Sequence, residues 1–390
     1  MHVPSPMSDV SRVRLCLWLA AMVTAGVWAA LLFRAHQASQ IPSAQTVPEQ
    51  ALMGGTALTN TPAPDFTLTN QFGQPVSLRQ YRGKVVFLAF VDSQCTTICP
   101  LTTQSLVDAL QLLGPAASQV ALLGVNANPQ AATVTDVRAY SQAHGLLQRW
   151  NFVTGSPAQL QAVWQAFHVE TQIVAGTIDH TPVLYELDQQ GQDRYLYLTP
   201  MQYAALPQEA EILAGDASRL LPSHPKVLPT PLATGSTIAA STQPVTLPLL
   251  AGAGRPVRLG PGTAHLVVFW ASWVPDAATQ LRLLNAYASV NQHDGLPPLV
   301  AVDVGDTEAT PQMAPDLLRQ AGSLDFPVAL DSSGAVADAY GAQDLPWLAL
   351  TDAQGRVRWS HDGWLSGSQL ETALRTALPA TAVAQAASPQ

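Results

Sequence analysis

The two halves of this 390-residue chain repeat one another. "GQPVSL" at 73–78 recurs as "GRPVRL" at 254–259, and each copy leads into an apolar run, "KVVFLAFV" or "HLVVFWAS". Four further matches share one offset of 164: Pro182 with Pro346, Asp188 with Asp352, Gly191 with Gly355, and Arg194 with Arg358. Because several matches fall at one offset, the sequence indicates a duplicated unit.

Within each half, apolar runs typical of strands alternate with stretches of helical periodicity. This alternation predicts, in each half, an α/β sandwich around a mixed sheet. In the first half we predict strands at 85–91, 119–125, 149–153, 182–187 and 193–198, and helices near 99–113, 131–143, 156–167 and 206–221. In the second half we predict strands near 265–270, 297–303, 326–330, 346–351 and 356–360.

One segment near the N-terminus is long and apolar enough to cross a membrane. Residues 15–33, "LCLWLAAMVTAGVWAALLF", contain no charge, and about 20 apolar residues span a bilayer as a helix. Arg12 and Arg14 precede the segment and Arg34 follows it, after which no Lys or Arg occurs before Arg79. We therefore expect a single-pass cell-membrane protein with a cytoplasmic N-terminus and extracytoplasmic domains. The alternative, a cleaved signal peptide, lacks a good small-x-small site.

The rest of the chain divides by composition. Polar, proline-punctuated stretches predict linkers, and a net charge of −9 without a basic stripe argues against nucleic-acid binding. The expected organisation is a cytoplasmic N-terminus at 1–14, the anchor at 15–33, a linker at 34–60, a first domain at 61–221, a linker at 222–244, a second domain at 245–378 and a disordered tail at 379–390.

Only two cysteines lie outside the anchor segment, Cys95 and Cys99 in "VDSQCTTICPLTT". We place Cys95 in a loop after a strand and Cys99 at the start of a helix, where Pro100 suits the first turn. A helix N-terminus favours thiolate. Such a pair suits Cu(I) or Zn, or can close a disulfide, but two small buried apolar residues also fit the pattern. Cys16, within the anchor, is interpreted as an apolar residue in lipid.

His180 is the histidine best placed to join this pair. It precedes the strand that carries Pro182, which we expect beside the first strand of the sheet, so an entering loop can bring the imidazole to the thiols. Asp179 either orients His180 by a hydrogen bond or is a capping or solvated carboxylate. His144 and His168 fall in helical stretches and are interpreted as surface or packing residues.

These residues carry a resemblance. "VVFLAFVDSQCTTICPLTT", "VNANP", "FVTGSPAQLQAVWQAFHV" and "DHTPVLYELDQQG" are similar to the SCO/SenC family of membrane-anchored copper proteins, over 64–221. The resemblance implies a thioredoxin-like fold that binds one copper ion, Cu(I) or Cu(II), through Cys95, Cys99 and His180. It further implies a metallochaperone for a cytochrome c oxidase copper centre. The expected partner is the copper-centre subunit of a respiratory oxidase or another extracytoplasmic copper protein.

Two departures from that family keep another function open. Thr96 and Thr97 stand where many members have Pro-Asp, so an acidic group is lost there. Pro182 before a strand resembles thioredoxins, in which this proline usually follows a cis bond. The alternative is a thiol–disulfide oxidoreductase that acts through the Cys95/Cys99 redox pair on an extracytoplasmic partner and for which His180 is dispensable.

The second half has lost the residues that carry this chemistry. "VVFWASWVPDAA" and the segment 326–355 resemble thioredoxin-like proteins of the TlpA/ResA type, over 245–378. Val274 and Ala277 occupy both cysteine positions, and Asp344 stands where the first half has His180. We therefore expect a degenerate thioredoxin-like domain that serves as a structural or docking module. Trp270, Trp273 and Trp347 are expected around the vacated site, either as core or as a partner-binding surface.

Overall fold

The computed structural model describes residues 55–174, 177–228, 244–250, 255–288 and 296–377. All of them belong to one compact unit that spans 50–390. The predicted N-terminus 1–14, anchor 15–33 with Cys16, and tail 379–390 lie outside the described residues, as does most of both linkers. Among the described residues, no helix has the length and hydropathy to cross a bilayer.

The first half is built on an eight-stranded mixed sheet with the order β1-β10-β9-β4-β5-β6-β2-β3. The central strand β4 is parallel to β5 and antiparallel to β9. All seven residues of β4 are buried, as expected for a strand that is covered on both faces. The strands are β1 (Thr56–Ala57), β2 (Thr67–Asn70), β3 (Pro75–Ser77), β4 (Val85–Val91), β5 (Val120–Asn126), β6 (Asn151–Thr154), β9 (Val183–Leu187) and β10 (Asp193–Leu198).

Helices cover both faces of this sheet, and a separate hairpin lies beside it. Two of the helices begin with a capping box, at Thr133 and at Ser156, which fixes where they start. The helices are α1 (Ile98–Leu113), α2 (Val134–Ala143), α3 (Pro157–Ala166) and α4 (Leu206–Leu220). The hairpin consists of β7 (Thr171–Val174) and β8 (Thr177–His180).

The second half has a five-stranded sheet with the order β15-β14-β13-β16-β17. Its central strand β13 is parallel to β14 and antiparallel to β16, as β4 is to β5 and β9 in the first half. The strands of this sheet are β13 (Leu266–Trp270), β14 (Leu299–Val304), β15 (Val328–Asp331), β16 (Trp347–Thr351) and β17 (Val357–Asp362), and a separate two-stranded sheet consists of β11 (Val245–Leu247) and β12 (Val257–Leu259). The helices are α5 (Ala277–Leu283), α6 (Met313–Ala321), α7 (Ala335–Ala339) and α8 (Gly367–Ala377).

The sequence repeat corresponds to one turn that is built twice. Asp188 accepts hydrogen bonds from the backbone N–H groups of Gln190 and Gln192, and its other oxygen pairs with Arg194 at 3.0 Å. Asp352 accepts from the N–H groups of residues 354 and 356 and pairs with Arg358 at 2.8 Å. The matching glycines have φ angles of 70° and 78°, a region that favours glycine. The strand orders of the two sheets confirm the predicted mixed α/β, thioredoxin-like fold. The hairpin β7–β8 was not predicted.

The two halves share a buried core. Leu101, Tyr203 and Leu206 come from the first half but belong to the apolar cluster that forms the core of the second. The backbone N–H groups of Tyr203 and Ala204 donate to the two carboxylate oxygens of Asp338, at 3.0 and 2.9 Å. We call this contact region the seam. It includes the N-terminal end of α1, which carries Cys99.

Candidate metal and thiol site

The cysteine loop begins where β4 leaves the sheet. Asp92 follows β4 directly and is buried, and its backbone carbonyl accepts the N–H of Cys95 at 3.2 Å. Its side chain accepts from the Gln94 N–H at 2.8 Å and from the Asn128 amide at 2.7 Å. Asp92 and Asn128 were not singled out from the sequence. Two features of the sequence could have indicated them: the motif "VNANP", which contains Asn128, and the position of Asp92 directly after a buried strand.

The two thiols have different surroundings. Cys95 is partly exposed in the loop, whereas Cys99 lies in the first turn of α1 with 2% of its surface exposed. The Cys99 N–H donates to Cys95 Sγ at 3.4 Å, and Thr97 Oγ1 lies 3.2 Å from the same sulfur. A hydrogen bond from the Cys99 thiol lowers the pKa of Cys95, while burial raises the pKa of Cys99 well above its usual value. Cys95 is therefore the thiol that ionises first.

His180 ends strand β8 and reaches the buried thiol. Its Nε2 lies 3.6 Å from Cys99 Sγ, and its Nδ1 lies 3.1 Å from the backbone oxygen of Thr181. A carbonyl only accepts, so this bond assigns the proton to Nδ1 and leaves the lone pair of Nε2 directed at the thiol. Burial lowers the pKa of His180, which keeps the ring neutral. The hairpin, rather than the predicted loop, therefore delivers the imidazole.

Asp179 does not orient His180. Its side chain is exposed and accepts a hydrogen bond from the Gln172 amide at 3.2 Å. The carbonyl of Thr181 takes the orienting role. Of the two predicted alternatives, the solvated carboxylate is the one found.

This site lies within a stretch that matches a known family over part of the chain. Residues 55–211 match the SCO1/SenC family model. The match covers less than half of the chain, and we call it the SCO1/SenC region.

Individual proteins are similar to shorter segments. The SCO1 protein homolog of Bacillus subtilis is 29% identical over 91 residues, 23% of this chain and 47% of that protein. The sporulation thiol-disulfide oxidoreductase A of Bacillus subtilis is 26% identical over 110 residues, 28% of this chain and 66% of that protein. The copper-bound structure of ScoI from Bradyrhizobium japonicum has a TM-score of 0.36 and 23% identity, and covers 41% of this chain and 100% of that one. The chain thus spans between about half and two thirds of these curated relatives.

In the SCO1/SenC region, the three predicted ligands are neighbours, but their side chains are not arranged as a metal coordination site. Cys95 contacts Cys99, and Cys99 contacts His180. Yet within the described residues, no group of three or more His, Cys, Asp or Glu side chains is arranged to hold a metal ion. The donor set, two thiols and a neutral imidazole with a free lone pair, nevertheless suits a soft ion such as Cu(I).

Two further predictions near the site have definite outcomes. Among the described residues, the cis peptide bond is Leu345–Pro346 in the second half, so Pro182 does not follow the cis bond that usually precedes this proline in thioredoxins. His144 was interpreted as either a surface or a packing residue, and the structure shows a packing residue. It is buried, and its ring centroid lies 4.2 Å from that of Tyr140 and 5.1 Å from that of Trp273, across the seam.

The corresponding position in the second half is filled by apolar side chains. Val274 and Ala277 are 3% and 2% exposed, and Trp270 is fully buried. Trp273 is also buried and donates from its indole N–H to Thr307 Oγ1 at 3.1 Å, while Trp347 is half-buried. The tryptophans therefore belong mainly to the core, and Trp273 also contacts the first half.

Proposed function

We propose that this protein is a membrane-anchored, extracytoplasmic copper-binding protein that delivers copper to an assembling copper centre, that of cytochrome c oxidase by family resemblance. The observation that carries the proposal is the contact of Cys99 Sγ with the unprotonated Nε2 of His180, beside Cys95 and inside the SCO1/SenC region. The matching of residues 55–211 to the family supports the same function.

The three side chains have distinct tasks in binding. Cys95, with its lowered pKa, supplies the first thiolate, and Cys99 loses its proton when the ion binds. His180 is already neutral and needs no deprotonation. Since these three side chains are not arranged as a coordination site, they must rearrange when the ion binds. A site of two sulfurs and one nitrogen leaves room for a ligand from the recipient, so the ion can transfer by ligand exchange.

Copper stoichiometry tests this proposal. The full-length protein, reduced and loaded with Cu(I), is expected to retain one ion per chain after gel filtration. Cys95→Ser and His180→Ala should lose it. His168→Asn is a suitable control, because His168 is exposed and has a φ of 55°, which asparagine tolerates. Copper retained in both site variants would contradict the proposal.

The second candidate is a thiol–disulfide oxidoreductase, and the unequal thiols favour it. A partly exposed thiol whose pKa is lowered, beside a buried thiol whose pKa is raised, is typical of a redox pair. In this reaction the Cys95 thiolate attacks a partner disulfide and forms a mixed disulfide, which Cys99 then resolves. The partner is reduced to its dithiol, and Cys95 and Cys99 become a disulfide.

The variant His180→Ala separates the two candidates, because it keeps both cysteines. Copper delivery requires the imidazole, so this variant should bind copper weakly and show no reductase activity above background. Full reductase activity in His180→Ala, with no copper dependence in the wild type, would favour the oxidoreductase instead.

The proposed location follows from the segment 15–33 and the arginines around it. The recipient is then a copper-centre subunit of a respiratory oxidase, or another extracytoplasmic copper protein. A membrane-impermeant thiol reagent should label Cys95 in intact cells. Labelling only after lysis would contradict this placement.

A further inference from the structure

The carbonyl that orients His180 belongs to a tight turn. The backbone oxygen of Thr181 lies 3.1 Å from His180 Nδ1, and it also accepts the N–H of Val183 at 2.9 Å. A bond between a carbonyl and the N–H two residues further on defines a γ-turn, and Pro182 is the central residue of this one. One oxygen atom therefore joins the imidazole to the first residue of β9.

Pro182 suits the centre of this turn. Its ring holds φ near −65°, close to the φ of about −75° in an inverse γ-turn. A proline also keeps the residue before it out of the helical region, so Thr181 continues the extended course of β8. The covalent structure of Pro182 thus favours the backbone that points the Thr181 carbonyl at the imidazole.

A second pair of hydrogen bonds holds Thr181 on the side of the hairpin. Its hydroxyl oxygen accepts the N–H of Glu170 at 3.2 Å, and its own N–H donates to the Glu170 carbonyl at 3.0 Å. Glu170 directly precedes β7, so these two bonds close the base of the hairpin. Thr181 is therefore fixed between the hairpin and β9.

The imidazole needs this support in order to bind a metal ion. His180 ends a hairpin whose two strands form a separate small sheet. Either nitrogen of a neutral imidazole can carry the proton. Without an acceptor at Nδ1, the proton can occupy Nε2, the nitrogen 3.6 Å from Cys99 Sγ, and a protonated nitrogen has no lone pair for a metal.

We propose that Thr181 and Pro182 are positioning residues for His180. Together they hold the Thr181 carbonyl at Nδ1, and so keep the lone pair of Nε2 directed at Cys99. For copper binding, this inference rests on the proposed function. For the tautomer of the ring it does not, because the same bonds act in the metal-free protein.

NMR of the ring nitrogens in the reduced, full-length apoprotein tests this inference. In the wild type, the neutral ring of His180 should carry its proton on Nδ1. Thr181→Val removes the bond to the Glu170 N–H, and Pro182→Ala frees the backbone of the turn. Each should raise the population of the Nε2–H form about three- to tenfold, the effect of losing one net hydrogen bond. Thr181→Ser keeps the hydroxyl and should behave like the wild type.

Thr171→Val is the matched control. Thr171 lies opposite His180 in the hairpin, and its hydroxyl oxygen is buried without a hydrogen-bond partner in the described part of the chain. The same chemical change as in Thr181→Val therefore removes a hydroxyl beside the imidazole without removing a bond. The tautomer should stay as in the wild type.

Cu(I) affinity, measured by competition with a chromogenic chelator, gives a second readout. It should fall about three- to tenfold in Thr181→Val and in Pro182→Ala. Thr181→Ser and Thr171→Val should keep the affinity of the wild type. A wild type that binds no copper, but whose variants show the expected tautomer shifts, would overturn the proposed function alone.

The tautomer measurement decides the inference itself. A wild-type ring that carries its proton on Nε2 would overturn it. A proton that remains on Nδ1 to the wild-type extent in Thr181→Val or in Pro182→Ala would overturn the role of that residue. An equal shift in Thr171→Val would assign the effect to packing in the hairpin. If Pro182→Ala does not fold, Thr181→Val and Thr181→Ser decide, because only a positioning hydroxyl separates them.

Discussion

Glu186 is a carboxyl group in the middle of the sheet of the first half, with none of its surface exposed. The hydroxyl of Tyr197 lies 2.7 Å from Glu186 Oε2 and 2.6 Å from Asp216 Oδ2. One hydroxyl proton cannot satisfy two carboxylates, so one of them carries a proton of its own. Asp216 pairs with Arg219, and burial raises the pKa of Glu186 to about 8. Glu186 is therefore protonated at neutral pH.

This proton makes stability fall with rising pH. In the unfolded chain Glu186 ionises near its usual pKa of 4.5, whereas in the folded chain it keeps its proton up to about pH 8. Between these values the folded state binds more protons, so unfolding becomes easier by up to about 1.4 kcal/mol per pH unit. We expect Glu186→Gln to reduce this slope in urea unfolding between pH 6 and 7.5. Part of the slope should remain in Glu186→Gln, because the pKa of Glu209 is also raised to about 8.

The exposed Glu170→Gln is the matched control and should leave the slope as it is. An unchanged slope in Glu186→Gln, or an equal change in both variants, would contradict the assignment of the proton to Glu186.

Among the elements, the sequence predicts strands that are continuous apolar runs, but it misses strands whose pairing depends on other parts of the chain. Strand β4 was predicted with its observed bounds, because seven buried residues in a row leave no ambiguity. The hairpin β7–β8 was missed, since its four-residue strands pair with each other and carry exposed side chains such as Ile173. His180 was nevertheless correctly brought to the thiols, because β9 was correctly placed beside β4.

Gly124 shows the same limit within a strand that was predicted. A side chain at this position of β5 would meet the ring atoms of Trp150 and Phe152 at 2.7 and 2.9 Å. The rings of Trp150, just before β6, and of Phe152, within it, occupy the space that a side chain at Gly124 would take. Sequence periodicity predicts the strand but not this contact.

For the whole molecule, the shared core predicts that the two halves unfold together. Tyr203 is 2% exposed and lies in the core cluster of the second half, although its chain segment belongs to the first. Tyr203→Ala is expected to cost about 3–5 kcal/mol and to split a single thermal transition into two, as measured by calorimetry. The reason is that the substitution leaves a cavity in the apolar cluster that joins the two halves.

Tyr203→Phe is the control, since the Tyr203 hydroxyl is buried without a partner in the described structure. Its removal should leave stability equal or higher. A Tyr203→Ala protein that melts in one transition at the wild-type temperature would show that the halves do not depend on this contact.

The site is assembled from residues that are far apart in the order of synthesis. Cys99 and His180 are 81 residues apart, and ribosomes add about 5–20 residues per second, so the imidazole follows the thiol by about 4–16 s. During each round of translation, the cysteine pair is therefore a bare dithiol, open to oxidation and to metal ions, before its imidazole exists.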